Sequence, residues 1–176
     1  MSQFDEQKTI AVLLYFCQKA GGRIDMYTLI KLVYFADKAH LHKWGRTITG
    51  DHYARLEHGV TPSAVYDMLK STRGASDWPT DLSSYFQLDK KRGTNIVIAS
   101  GEPDMDELSE SERGILDEIF SEDGAKTFAE LKAKAHDKTY LSSWGHWINE
   151  EDLAEGDAAL IAHIRQNSED ELFLRG

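Results

Sequence analysis

The chain of 176 residues has one cysteine, Cys17, so no disulfide can form within it. Cys17 closes the longest uninterrupted apolar run, Ile10 to Cys17, and reads as core packing. That run is far short of the roughly 20 residues a membrane-spanning helix needs. Only three prolines occur, and no internal repeat or low-complexity segment is present. Disorder is therefore expected only at the two ends. The first residues, MSQFDEQK, lack a basic-then-apolar leader. Together these absences lead to the expectation of a cytoplasmic protein.

Catalytic and metal motifs are missing too. There is no G-x-S-x-G elbow, no P-loop and no dinucleotide fingerprint. There is no H-x-x-x-H spacing either. His40 and His42 would point about 200° apart on a helix and cannot share an ion. His52 and His58 would lie roughly 20 Å apart along a strand. Asp37 and His40 have carboxylate-x-x-His spacing, but one such pair does not make a metal site. No cofactor, no metal and no enzyme activity are expected.

Forty-one per cent of the residues are hydrophobic, enough for a core. Net charge is −10, unevenly spread. Residues 1–100 carry 13 Lys and Arg against 10 Asp and Glu, or +3; residues 101–176 carry 7 against 20, or −13. The acidic part is either a solvated helical surface or a recognition surface for a basic protein. It would repel nucleic acid.

Patterning gives a mainly α protein with a small antiparallel β element (α+β), a compact helical domain with one β-hairpin. Lys8 to Ala20 reads as a buried helix stopped by Gly21 and Gly22. Asp25 caps a second helix, Met26 to Trp44, ended by Gly45. His52 to His58 suits a short strand or extended segment. Thr61 and Pro62 read as the N-cap and first position of a helix reaching about Ser71. Leu82–Leu88 and Thr94–Ala99 form the hairpin around the loop DKKRG. Residues 101–105 are a linker and candidate subdomain boundary. Ser109 with Glu112, and Thr127 with Glu130, match capping boxes. Asp137 opens a short helix, and a last helix covers Asp157 to Gln166. A single domain over 1–167 with an exposed tail at 168–176 follows.

The second helix contains KLVYFADKAHLHKWG, residues 31–45. At about 100° per residue, Leu29, Ile30, Val33, Ala36, Leu41 and Trp44 form one apolar stripe. Lys31, Lys38 and His42 lie on the other side. Asp37 and His40 fall inside the stripe, three residues apart and therefore neighbours. They can form a satisfied pair, bond a neighbouring segment, line a partner or ligand site, or serve catalysis. Catalysis would need a nucleophile in reach, and Ser63 and Cys17 qualify only by residue type.

The run K-L-V-Y-F-A-D at 31–37, then His40 and G-R-T-I-T-G-D at 45–51, resembles the Panacea domain. That domain is also described as SocA-like or phage-associated protein-like. H-G-V-T-P-S at 58–63, with Val65 and Tyr66, resembles its next signature. Family members commonly have Gly-Pro-Val there; this chain has Gly59-Val60-Thr61-Pro62 instead. L-S-E-S-E-R-G-I-L-D-E-I at 108–119, Phe128–Leu131 and Ala135-His136-Asp137 resemble the C-terminal half. The likeness covers roughly Ile10 to Leu153.

The resemblance implies an antitoxin that neutralises a cognate toxin by direct binding. SocA-like members are similar to proteolytic adaptors that deliver a toxin to a ClpXP-type protease. Candidate partner-binding residues are Lys31, Tyr34, Asp37, His40, His58 and Tyr66, an aromatic and charged mix suited to an anchoring patch. Two other readings stay open. One is a DNA-binding regulator using helices in 109–147, where Lys126, Lys132, Lys134 and Lys138 cluster. The other is an enzyme using Asp37 and His40.

Overall fold

The computed structural model describes residues 3–91 and 93–175. Arg92 of the expected hairpin loop and Gly176 of the expected tail lie outside the described residues. Helix α1 (Glu6–Lys19) opens with Asp5, whose side chain accepts from the Lys8 N–H. A short strand β1 (Arg23–Asp25) follows, and Asp25 then caps α2 (Met26–Trp44) by accepting from the Thr28 N–H. Gly45 ends α2 in the left-handed region at φ 78°, where a Cβ would be strained.

Two three-stranded antiparallel sheets flank the helices. In one, β1 and β4 (Phe86–Lys91) lie on either side of β5 (Thr94–Ala99), with Ile24 opposite Val97. In the other, β3 (Gly59–Pro62) and β6 (Trp147–Ile148) lie on either side of β2 (Tyr53–Leu56). The class is α+β, but the described residues form two hairpins rather than one. The expected strand at 52–58 is only half of the second hairpin, which turns at Glu57 and His58.

Thr61 and Pro62 therefore do not open a helix. They end β3, and α3 begins after them (Ser63–Ser71). Pro62 fits an edge strand because it has no N–H to leave unpaired. The cap of α3 comes from the preceding loop. Asp51 Oδ1 accepts from the Ala64 N–H and its Oδ2 from the Val65 N–H, at 2.9 and 3.0 Å. The cap signal at Thr61–Pro62 is thus met from a distance.

Both expected capping boxes are present. Ser109 with Glu112 opens α4 (Glu110–Asp123), and Thr127 with Glu130 opens α5 (Phe128–Ala135). Asp137 caps α6 (Lys138–Ser142), and a short α7 (Glu150–Leu153) precedes α8 (Ala158–Arg175). Helix α8 runs through most of the stretch expected to be a tail. Leu172, Phe173 and Leu174 on it are exposed.

One hydrophobic core contains residues from Ile10 to Ile164, on both sides of 101–105. Helix α2 lies inside it. Leu29, Leu32, Val33, Tyr34 and Leu41 are fully buried. Lys31, expected on the polar side, is only 1% exposed, because strand β3 covers that side. Trp44, expected in the stripe, is 54% exposed, because it stands on the last turn of α2.

Candidate partner-binding groove

Asp37 and His40 do not bond each other. The Asp37 carboxylate accepts four hydrogen bonds: from the Ile48 N–H, the Thr49 N–H, the Thr49 hydroxyl and the Tyr53 hydroxyl, at 2.6–2.9 Å. Burial pushes its carboxyl up to about 6, and the Thr49 and Tyr53 bonds pull the other way. His40 Nδ1 donates to the Arg46 carbonyl at 2.7 Å, which leaves Nε2 to accept from the Ser111 hydroxyl at 3.1 Å. Burial lowers the His40 pKa, so the neutral ring is favoured. Both side chains fasten the loop after α2: Asp37 holds 48 and 49, and His40 holds 46. Ser111 is within reach of His40, but Nδ1 meets a carbonyl, which lacks the charge a carboxylate would place against an imidazolium.

Tyr34 is also engaged within the core. Its hydroxyl donates to Asp137 Oδ2 at 2.8 Å, and burial, then the Asp137 charge, raises its pKa well above the usual range. Lys38 reaches the same Asp137 and also Glu155, at 2.7 and 2.6 Å. The turn before α6 is thereby held to α2.

Lys31 is different. Its ammonium donates to the Val60 carbonyl at 2.6 Å and the Thr61 hydroxyl at 3.1 Å, and no carboxylate pairs with it among the described residues. Burial drops its pKa to about 7, opposed by the charge of Asp137. The Tyr27 ring lies over it, centroid 5.2 Å from Nζ.

Tyr27 belongs to an aromatic group drawn from three segments. Tyr27 opens α2, His58 sits in the β2–β3 turn and Phe128 opens α5. The Tyr27 and Phe128 centroids are 4.5 Å apart, and those of His58 and Phe128 5.3 Å. The Tyr27 hydroxyl donates to the His58 carbonyl at 2.8 Å, which pins the turn to α2. Gly59 permits the close approach: a Cβ there would meet the Ala135 Cβ at 2.5 Å, and its φ is 102°. Phe128 remains 50% exposed.

This group borders a groove of about 530 Å³. Tyr27, Ile30, Tyr66, Arg73, Asn95 and Phe128 are among the residues that line it. Tyr66 is half-buried and carries the Lys70 ammonium 4.3 Å from its ring centroid. Arg73 Nη1 donates to Asn95 Oδ1 at 3.0 Å.

Of the six candidates, Tyr66 lines this groove, His58 packs against its Tyr27 and Phe128 rings, and the Lys31 Nζ lies under the Tyr27 ring. Tyr34, Asp37 and His40 lie in the core with their polar atoms engaged by the chain itself. Sequence reasoning missed Tyr27, Phe128 and Arg73. Phe128 gave one signal: a large apolar side chain at the first position of a capped helix, ahead of the buried periodicity at Leu131 and Ala135.

The family model for the antitoxin SocA-like, Panacea domain matches residues 29–144. The chain belongs to this family. No curated protein and no solved structure matches it. Membership of the Panacea family points to an antitoxin role and, in general, to a toxin as partner. Most of the groove, from Ile30 through Tyr66 and Asn95 to Phe128, falls within the matched residues. No helix among the described residues is long and apolar enough to cross a membrane. Among them, too, no group of three His, Cys, Asp or Glu is placed to hold a metal ion.

Proposed function

We propose that this Panacea-domain protein is a cytoplasmic antitoxin that neutralises a cognate toxin by binding it directly, with the Tyr27–His58–Phe128 groove as the contact face. The observation that carries this reading is the aromatic group itself. Three rings from three distant segments meet at the surface, and Phe128 stays half-exposed. Exposed rings beside a concavity are the residue types and shape that anchor protein interfaces. Lys31, His58 and Tyr66 belong to this face or its floor, while Tyr34, Asp37 and His40 fix the framework that presents it.

The helices at 109–147 fit DNA poorly. Lys126 and Lys134 both pair with Asp123 at 2.6 Å, and Lys138 donates to the Glu155 carbonyl. Their charges are engaged within an acidic surface instead of facing a phosphate backbone.

The test is co-expression with the product of the adjacent gene. Growth arrest by that product should be relieved by the wild-type chain but not by Tyr27→Ala/Phe128→Ala. Relief in cells lacking a ClpXP-type protease indicates blocking. Relief only when the protease is present, with falling toxin levels, indicates delivery for degradation. Equal relief by the double variant contradicts the groove as contact face.

A further inference from the structure

The groove carries a charge pattern that narrows the chemistry of its occupant. Arg73 is exposed, and its guanidinium makes no ion pair among the described residues. The bond to Asn95 uses one donor and holds the guanidinium at the groove wall, leaving donors free for a carboxylate. The carboxylate that lines the groove, Asp25, caps α2 by accepting from the Thr28 N–H, and the positive end of the helix offsets its charge. The wider surface reinforces this contrast. Residues 101–176 carry −13, whereas residues 1–100, which supply every lining residue but Phe128, carry +3.

We infer that the groove receives an acidic segment of the partner protein, one whose aromatic or large apolar side chain seats on Tyr27 and Phe128 while a neighbouring carboxylate pairs with Arg73. The inference rests on the groove being the partner-binding face. Its two halves supply separate terms. Apolar burial against the rings gives affinity, and Arg73 selects the sign of the flanking charge. A basic segment would meet Arg73 as a like charge.

Selection of random peptides displayed on phage against the full chain tests this. Recovered peptides should combine Asp or Glu with Phe, Trp, Tyr or Leu. Arg73→Glu should reverse the charge preference toward Lys and Arg, with an unchanged melting temperature because the side chain is exposed. Phe128→Ala should lower recovery about ten-fold or more, as for an interface anchor. Basic peptides on the wild-type chain, no enrichment at all, or a preference unaffected by Arg73→Glu would each overturn the inference. The two readings fail separately. If relief of toxicity needs Phe128 but the selected peptides are not acidic, the groove stands and the acidic class falls. If relief ignores Phe128, the groove reading itself falls.

Discussion

The ring of Phe128 lies 4.5 Å from the ring of Tyr27, centroid to centroid, although one opens α5 and the other α2. Helix α5 is anchored here by the buried Leu131 and Ala135, while its first residue is half-exposed. The contact therefore shapes a surface more than it holds the core. Phe128→Ala should cost less than about 1 kcal/mol of stability, the range for half-exposed positions away from special features. Thermal melting of the two proteins checks this.

Asp37 serves stability through its four donors. Asp37→Ala leaves the Ile48 and Thr49 N–H groups unpaired in the core, at about 1–3 kcal/mol each. Urea unfolding should show a loss on the order of 3 kcal/mol or more. His40→Ala should destabilise less, because it frees the Arg46 carbonyl and the Ser111 hydroxyl, and half-buried Ser111 can turn to water. Retained relief of toxicity below the lowered melting temperatures would place both residues in the framework.

Lys31 should give stability an unusual pH dependence. Its ammonium titrates at about 7 in the folded chain, below the ordinary value of 10.5. Between these values the unfolded chain binds one more proton than the folded chain. This group's contribution therefore makes stability rise with pH across that window, by at most about 1.4 kcal/mol per pH unit. Lys31→Met should remove the rise. Denaturant unfolding at pH 7 and pH 9 in both proteins measures the difference.

Glu112 works in the opposite range. Burial pushes its carboxyl up, but the Ser109 N–H, the Lys8 ammonium and the Arg46 guanidinium outweigh burial and hold it at about 2. Its folded pKa is depressed, so its stabilisation is present above about 4.5 and is lost as pH falls towards 2. Glu112→Gln should be less stable at pH 7, on the order of 3 kcal/mol, and should show a shallower acid transition. Acid titration followed by circular dichroism reads both effects.

Local signals in the sequence gave the elements that depend on local chemistry. Asp25 and Gly45 bound α2, and the boxes at Ser109 and Thr127 open α4 and α5, because each cap bonds groups within a few residues. Signals that depend on distant partners misled. Thr61–Pro62 has the chemistry of a helix start, but Asp51 supplies that cap and Lys31 takes the Thr61 hydroxyl. A one-face wheel put Lys31 on the polar side because it cannot register a strand covering a second face. Asp37 and His40 were legible as polar groups inside the stripe, but their partners lie in the loop at 46–49 and on α4. The groove was least legible, since Tyr27, His58, Tyr66 with Arg73, and Phe128 come from four separate segments.

The most direct test is calorimetric titration of the purified toxin from the adjacent gene into the wild-type chain and into Phe128→Ala. The groove account predicts a defined complex with the wild type and affinity weaker by about ten-fold or more for the variant, at nearly the same melting temperature. Equal affinity for both chains, or no complex with the wild type, would contradict it.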